Sequence, residues 1–161
     1  MPKTYRDAEG DAMSHEQVAE KSIKINGYEI RRDRFYSREH EWALIEENGN
    51  VRVGITDYAQ KSLHDIVYVE MPSVGSKVNQ MNPIGTVESI KSVSEIYSPV
   101  SGEVINVNNR LSDSPELLNT SPYDDGWIVV IKPSALDDEI KNLMKPEEYA
   151  DYIRKLIREK K

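Results

Sequence analysis

The stretch that decides the fold reads ESIKSVSEIYSPVSGEV and spans residues 88–104. Short apolar and β-branched runs are interrupted here by serine, proline and glycine, which is typical of short β-strands joined by tight turns. Lys91 lies between two such runs, one ending at Val87 and one beginning at Ile96, and it is the single basic residue within residues 78–109. The pattern predicts a turn between two strands with one lysine exposed to solvent.

The surroundings of Lys91 exclude several lysine chemistries. No dense apolar cluster is present to desolvate the amine as a Schiff-base lysine requires. No second basic residue is near in sequence, so a phosphate clamp is not indicated. A lone exposed lysine on a tight turn suits chemical modification by a partner enzyme. The spacing alone leaves an ordinary surface lysine as the alternative.

Other strand-like segments lie on both sides of this turn. Residues 42–45 and 51–55 flank Asn48-Gly49 and read as a hairpin with a type I′ turn. Residues 66–71 and 126–131 are further apolar runs. Regularly spaced short strands favour a small barrel or sandwich.

Helices are expected mainly near the ends of the chain. A short helix is predicted from Asp57, after the first hairpin, and two C-terminal helices from Ser134 and Pro146. In the N-terminal extension, residues 1–33, a capping-box pattern predicts a helix that ends near Gly27, with partial disorder as the alternative. Residues 34–161 are expected to form the main domain.

Composition narrows the function classes. The 161 residues include 28 acidic and 21 basic side chains, for a net charge of −7, three histidines and no cysteine. Disulfides, thiolate zinc sites, iron–sulfur clusters and cysteine nucleophiles are therefore excluded, and the scattered histidines predict no metal site. An acidic chain without a basic stripe is a poor nucleic-acid binder. Without a long apolar run or a targeting segment, a cytoplasmic, non-membrane location is expected.

Five separated motifs in one order resemble the glycine cleavage H-protein family. They are His40-Glu41-Trp42, residues 53–60, residues 65–72, residues 88–104, and a final group containing Asn119, residues 121–123 and Gly126-Trp127. The resemblance implies a mostly β fold. The expected architecture is a lipoyl/biotinyl-type barrel sandwich of two small antiparallel sheets, with a short helix after the first hairpin and C-terminal helices.

The same resemblance implies roles for individual residues. Lys91 would carry lipoate on its side-chain nitrogen at a hairpin tip. Glu88 and Gly102 match positions that help the lipoylating enzyme recognise the hairpin. Glu41 and Glu95 match acids that line the cleft where the loaded arm rests. No catalytic residue and no metal ligand is implied.

The implied function is that of a non-catalytic lipoyl-lysine carrier. Such a carrier takes an aminomethyl group from the pyridoxal-phosphate-dependent glycine decarboxylase (P protein) to the tetrahydrofolate-dependent aminomethyltransferase (T protein). It then presents the dihydrolipoyl arm to dihydrolipoyl dehydrogenase (L protein). A lipoyl ligase or transferase is the fourth implied partner, because it attaches the arm.

Two alternatives remain open from the sequence. One is an H-like lipoyl protein of another pathway, such as sulfur oxidation or lipoate relay; the other is an interaction module whose lysine is not lipoylated. A biotin carrier is disfavoured because Ile90 and Ser92, not methionines, flank the lysine. The chain also departs from the family pattern at His64, where glycine is usual.

Overall fold

The computed structural model describes residues 21–160. Within them, eleven strands form three antiparallel sheets. The first is a two-stranded hairpin of β1 (Ser22–Ile25) and β2 (Tyr28–Arg31). The second has six strands in the order β3-β4-β5-β11-β10-β7, with these bounds: β3 (Phe35–Tyr36), β4 (Glu41–Ile45), β5 (Val51–Ile55), β7 (Lys77–Val78), β10 (Gly102–Val107), β11 (Val129–Pro133).

The third sheet carries the turn that contains Lys91. Its order is β6-β8-β9, with β6 (Ile66–Glu70), β8 (Pro83–Ser89) and β9 (Val93–Tyr97). β8 is therefore the central strand, and β6 and β9 are the two edges. The predicted pair of strands around Lys91 is present as β8 and β9.

The helices are short except for the last. They are α1 (Asp57–Leu63), α2 (Arg110–Asp113), α3 (Leu117–Thr120), α4 (Leu136–Glu139), a 3₁₀ turn (Ile140–Asn142) and α5 (Pro146–Glu159). Thr56 caps α1, because its hydroxyl oxygen accepts a hydrogen bond from the backbone N–H of Ala59 at 3.2 Å. In the part of the chain that the structure describes, no helix is long and apolar enough to cross a membrane.

Two apolar cores hold the elements together. The first lies between the six-stranded and three-stranded sheets, which makes the architecture a sandwich; its members include Val53, Val69, Val87, Ile96, Val104 and Ile131. The second is aromatic and lies where α5 covers β1, β2 and β3; it includes Tyr36, Trp42, Tyr58, Tyr123 and Tyr149. The predicted mostly β fold is confirmed.

The helix predicted to end near Gly27 is wrong for its described part, because residues 22–31 form the β1-β2 hairpin; its beginning, residues 14–20, lies outside the described residues. Asn26 and Gly27 have φ of 47° and 86°, the positive pair that a type I′ turn requires. At the predicted type I′ turn, Asn48-Gly49, only the glycine has a positive φ, 88°. The type I′ turn therefore occurs at Asn26-Gly27 in the β1-β2 hairpin and not at Asn48-Gly49.

Residues 21–33 are folded against the rest of the protein. The Tyr123 hydroxyl donates a hydrogen bond to the Glu29 carbonyl at 2.6 Å, and Arg31 forms an ion pair with Asp124 at 3.1 Å. α5 begins at Pro146 as predicted, and it packs on this hairpin. The division of the chain after residue 33 stays a prediction.

The helix predicted from Ser134 is shorter than the apolar spacing indicated. α4 ends at Glu139 and continues only as a 3₁₀ turn to Asn142. The backbone N–H and hydroxyl of Ser101 both donate hydrogen bonds to the Glu139 carboxylate, at 2.6 and 2.5 Å. These bonds fix the end of α4 against the start of β10.

Candidate functional site

One serine fixes the backbone of the turn between β8 and β9. The Ser89 N–H donates a hydrogen bond to the carbonyl of Ser92 at 2.8 Å. The Ser89 hydroxyl oxygen accepts hydrogen bonds from the N–H groups of Lys91 at 3.2 Å and Ser92 at 3.1 Å. Side-chain bonds of this kind are typical of serine in tight turns. The turn is therefore held by the backbone and hydroxyl of Ser89, and the Lys91 side chain takes no part in these hydrogen bonds.

The Lys91 side chain is exposed at the tip of the hairpin. Within residues 21–160, its ammonium has no hydrogen bond or ion pair. Its apolar neighbours Ile90 and Val93 are also exposed, at 67% and 64%. The amine is therefore open to an enzyme that approaches the tip.

The tip of the hairpin is bonded to the segment that follows α1. The backbone N–H of Ile90 donates to the carbonyl of Asp65 at 3.1 Å. The Asn119 amide connects the same region, accepting from the Ile66 N–H at 3.0 Å and donating to the His64 carbonyl at 2.8 Å. An open groove of about 360 Å³ lies beside Lys91 at this junction.

Glu88 and Gly102, the predicted recognition residues, occupy different environments. Glu88 is exposed on β8, directly between Tyr68 of β6 and Val93 of β9. Gly102 starts β10 with φ of +155°, and a Cβ there would overlap the carbonyl oxygen of Lys132. The close approach of β10 to β11 therefore requires glycine at this position. Recognition by a lipoylating enzyme stays a prediction for both.

Glu41 is buried, with 1% of its surface exposed. Its carboxyl accepts hydrogen bonds from the Ser37 hydroxyl at 2.5 Å and from the Tyr97 backbone N–H at 3.2 Å. Burial outweighs these bonds and raises the pKa of Glu41 to about 8. The carboxyl therefore links β4 of the large sheet to β9 of the sheet that carries Lys91.

Glu95 is exposed on β9 and contacts the same tyrosine. Its carboxylate accepts a hydrogen bond from the Tyr97 hydroxyl at 3.0 Å. The structure thus brings Glu41 and Glu95 to opposite ends of Tyr97, which sequence reasoning did not single out. Their predicted role as a cleft for the loaded arm stays a prediction.

His40, in the same motif as Glu41, belongs to the aromatic core. Its Nδ1 lies 2.8 Å from the Tyr149 hydroxyl, and its ring lies against those of Tyr58 and Tyr152. Burial lowers the pKa of His40 to about 4. Within residues 21–160, no group of three or more possible metal ligands occurs.

A model of the glycine cleavage H-protein family matches residues 34–156. The chain belongs to the glycine cleavage H-protein family. A Thermococcus gammatolerans protein described as a probable glycine cleavage system H protein is 52% identical over 134 residues, covering 83% of this chain and 99% of the relative. A glycine cleavage system H protein of Saccharophagus degradans is 53% identical over 121 residues, covering 75% of this chain and 92% of the relative.

A solved structure agrees with the family assignment. The crystal structure of a glycine cleavage system H protein from Mycobacterium marinum matches with a TM-score of 0.71 and 38% identity. It covers 76% of this chain and 98% of that chain. Membership of the H-protein family gives the chain its general role, that of a lipoyl carrier in glycine cleavage.

Proposed function

We propose that Lys91 carries a lipoyl group in amide linkage and that the chain presents it in turn to the enzymes of glycine cleavage. The proposal rests on the exposed Lys91 amine, which lies on a turn fixed by hydrogen bonds to the Ser89 hydroxyl. A fixed turn with a free amine gives a modifying enzyme a constant shape to recognise. It also leaves the attached arm unhindered.

The residues present fit an attached lipoyl group. The chain has no cysteine, so sulfur chemistry must come from an attached group. A lipoyl group supplies that chemistry when bound, as a disulfide that can be reduced to a dithiol. The lysine side chain and the lipoyl chain together extend roughly 14 Å, estimated from standard bond lengths. The residues of the hairpin need only hold the end of the arm that is attached to Lys91.

Tethering is the work of this chain in the proposal. An arm fixed at Lys91 meets each partner active site at a high effective concentration and needs no separate diffusional encounter. Acidic side chains on the outer face of the β6-β8-β9 sheet, namely Glu70, Glu88 and Glu95, are all exposed. Such a surface favours docking to basic patches on partner enzymes.

The proposed partners follow from this role. They are the glycine decarboxylase, the aminomethyltransferase, the dihydrolipoyl dehydrogenase and the lipoyl ligase or transferase. Glu88 would contact the lipoylating enzyme. Glu95 would supply a negative charge for an aminomethyl ammonium on the loaded arm, while the neutral Glu41 carboxyl would position β9 through Tyr97.

Tryptic mapping of protein from its native host tests the proposal. An unmodified Lys91 is cleaved, giving peptides 78–91 and 92–110, because it is the single basic residue between Lys77 and Arg110. A lipoylated Lys91 resists trypsin and gives one peptide, 78–110, with the added mass of the lipoyl amide. Lys141, an exposed lysine outside the hairpin that is followed by Asn142, is the internal control and should remain unmodified and be cleaved.

A bare Lys91 in a host that lipoylates its other carriers would contradict the proposal. The fold would then serve as an interaction module. A lipoylated Lys91 without activity toward glycine decarboxylase would instead support a carrier role in another pathway.

A further inference from the structure

His64 adopts a backbone conformation that is rare for a residue with a side chain. It follows the last residue of α1 with φ of 66° and ψ of −150°, a combination occupied almost entirely by glycine. A histidine there lowers stability relative to glycine. Strained residues of this kind persist where the surroundings hold them, and they concentrate at functional sites.

Hydrogen bonds on both sides hold His64 in place. Its N–H donates to the carbonyl of Gln60 at 3.0 Å, and its carbonyl accepts from the Asn119 amide at 2.8 Å. The next carbonyl, that of Asp65, accepts from the N–H of Ile90 in the hairpin tip at 3.1 Å. The strained segment is thus part of a rigid connection between α1 and the turn that carries Lys91.

The groove of about 360 Å³ beside Lys91 is lined by this segment. Several of its polar side chains are already engaged. Gln60 bonds to Asn119 at 3.0 Å, and the Lys61 ammonium bonds to Asp57 at 3.0 Å and to the Gly27 carbonyl at 2.8 Å.

Other side chains lining the groove remain available. The imidazole of His64 and the carboxylate of Asp65 make no hydrogen bond or ion pair within residues 21–160. Ile90 adds an exposed apolar side chain next to them.

This groove is separate from the Glu41–Tyr97–Glu95 group. The groove adjoins β6, one edge of the three-stranded sheet, because Asp65 immediately precedes that strand. Glu95 and Tyr97 belong to β9, the opposite edge. The hairpin that carries Lys91 is therefore flanked by two distinct surfaces.

We propose that the groove binds the part of the arm nearest to Lys91, namely the new amide and the first methylene groups of the acyl chain. We call this binding site the seat. The His64 imidazole accepts a hydrogen bond from the amide N–H that forms when the Lys91 nitrogen is acylated. Ile90 contacts the first methylene groups of the acyl chain. The inference rests on the proposed function, since it needs an acyl group on Lys91, and it explains why a strained histidine lines this groove.

Hydrogen exchange at the new amide tests the seat directly. The full chain is labelled with ¹⁵N-lysine and lipoylated with a lipoate ligase, and its mass confirms one lipoyl group on Lys91. The amide proton on Nζ should then exchange with water about two- to tenfold more slowly than in the same protein unfolded in urea, the range expected for one hydrogen bond of ordinary net strength. The ring signals of His64 and the methyl signals of Ile90 should shift on lipoylation.

Two variants distinguish binding of the arm by His64 from an effect of backbone strain alone. His64→Gly should abolish the slow exchange and also raise the melting temperature, because glycine accepts the positive φ. Ser62→Ala, at an exposed position of α1, should change neither quantity.

Exchange at the unprotected rate in the unchanged chain would overturn the proposal, as would protection that survives His64→Gly. Because the sample is lipoylated in the test tube, these results do not depend on whether the native host modifies Lys91. A failure of the seat is therefore distinguishable from a failure of the proposed function.

Discussion

The hairpin tip and the aromatic core under α5 use side chains in opposite ways. At the tip, Ile90, Lys91 and Val93 are exposed, and order comes from backbone hydrogen bonds to Ser89. In the aromatic core, Tyr36 and Tyr149 are fully buried and their rings stack with centroids 4.4 Å apart. The comparison shows that different regions serve stability and function in this chain. The buried core stabilises the fold, and the hairpin tip exposes Lys91.

Polar atoms in the aromatic core are also fully bonded. The Tyr149 hydroxyl lies 2.8 Å from the Thr56 hydroxyl and 2.8 Å from His40 Nδ1. The Trp42 indole N–H donates to the Pro122 carbonyl at 3.0 Å. Since unpaired buried polar atoms are costly, changes in this region should affect stability far more than changes at the tip.

The largest loss of stability is expected for Gly102→Ala. The added Cβ would overlap the Lys132 carbonyl, and the positive φ would be strained, so we expect a loss of about 3 kcal/mol or more in the free energy of unfolding. Gly49→Ala is the matched control, because Gly49 also has a positive φ but no atom near its added Cβ. It should cost about 1–2 kcal/mol. Equal losses in urea unfolding would contradict the close-approach argument.

Tyr149→Phe should have the next largest effect. It removes a hydroxyl bonded to the buried Thr56 and the half-buried His40 and leaves both without this partner, which should cost about 1–3 kcal/mol. Tyr97→Phe removes an exposed hydroxyl bonded to Glu95 and should change the stability by less than about 0.5 kcal/mol. Thermal unfolding of both variants measures the difference between a buried and an exposed tyrosine hydroxyl.

Glu41→Gln should change how stability depends on pH. The pKa of Glu41 rises from 4.5 to about 8 on folding, so between these values the folded state holds a proton that the unfolded state has lost. The contribution of this proton to stability is therefore fully present below pH 4.5 and is lost as the pH rises toward 8. The glutamine variant should lack this decline.

The measurement is urea unfolding between pH 6.5 and 8.5. The pKa of His40 is lowered from 6.5 to about 4, so its opposite effect on stability is confined to pH values below about 7.5. This effect is the same in the unchanged chain and in the glutamine variant, so the difference between the two isolates Glu41. A decline of the same size in the glutamine variant would show that Glu41 does not titrate in this window.

Ser89→Ala should have a small effect on global stability and a local effect at the tip. It removes the acceptor for the N–H groups of Lys91 and Ser92, worth about 0.5–1.5 kcal/mol. Amide exchange at these two N–H groups should become faster, and lipoylation by the ligase slower. Ser92→Ala is the control, since its side chain makes no hydrogen bond within residues 21–160. Identical exchange in both variants would rule out the turn-fixing role of Ser89.

Patterns of sequence predicted the parts of the fold that depend on local signals. The strands around Lys91, a helix near Asp57 and the start of α5 at Pro146 could be predicted from local residue patterns. The cap of α1 is Thr56, one residue before the expected Asp57. The N-terminal hairpin was missed, although Asn26-Gly27 is a turn signal. Its short arms become stable only by packing on α5 and Tyr123, which are distant in sequence.

The candidate site was predictable only in part for the same reason. Lys91 stands out because it is the single base in a long stretch. The contact of Tyr97 with both Glu41 and Glu95 depends on how β4 meets β9, which no local pattern encodes. The backbone strain at His64 depends on bonds from Asn119 and is likewise invisible in the sequence.

The change with no expected effect on stability tests the central claim most directly. Lys91→Arg keeps the charge and the exposed tip but removes the amine that lipoate would acylate. In a reconstituted system of glycine decarboxylase, aminomethyltransferase and dihydrolipoyl dehydrogenase, we expect no glycine-dependent turnover, with a melting temperature equal to that of the unchanged chain. Lys132→Arg should keep full turnover. Turnover by the Lys91→Arg variant would contradict the claim that this lysine carries the arm.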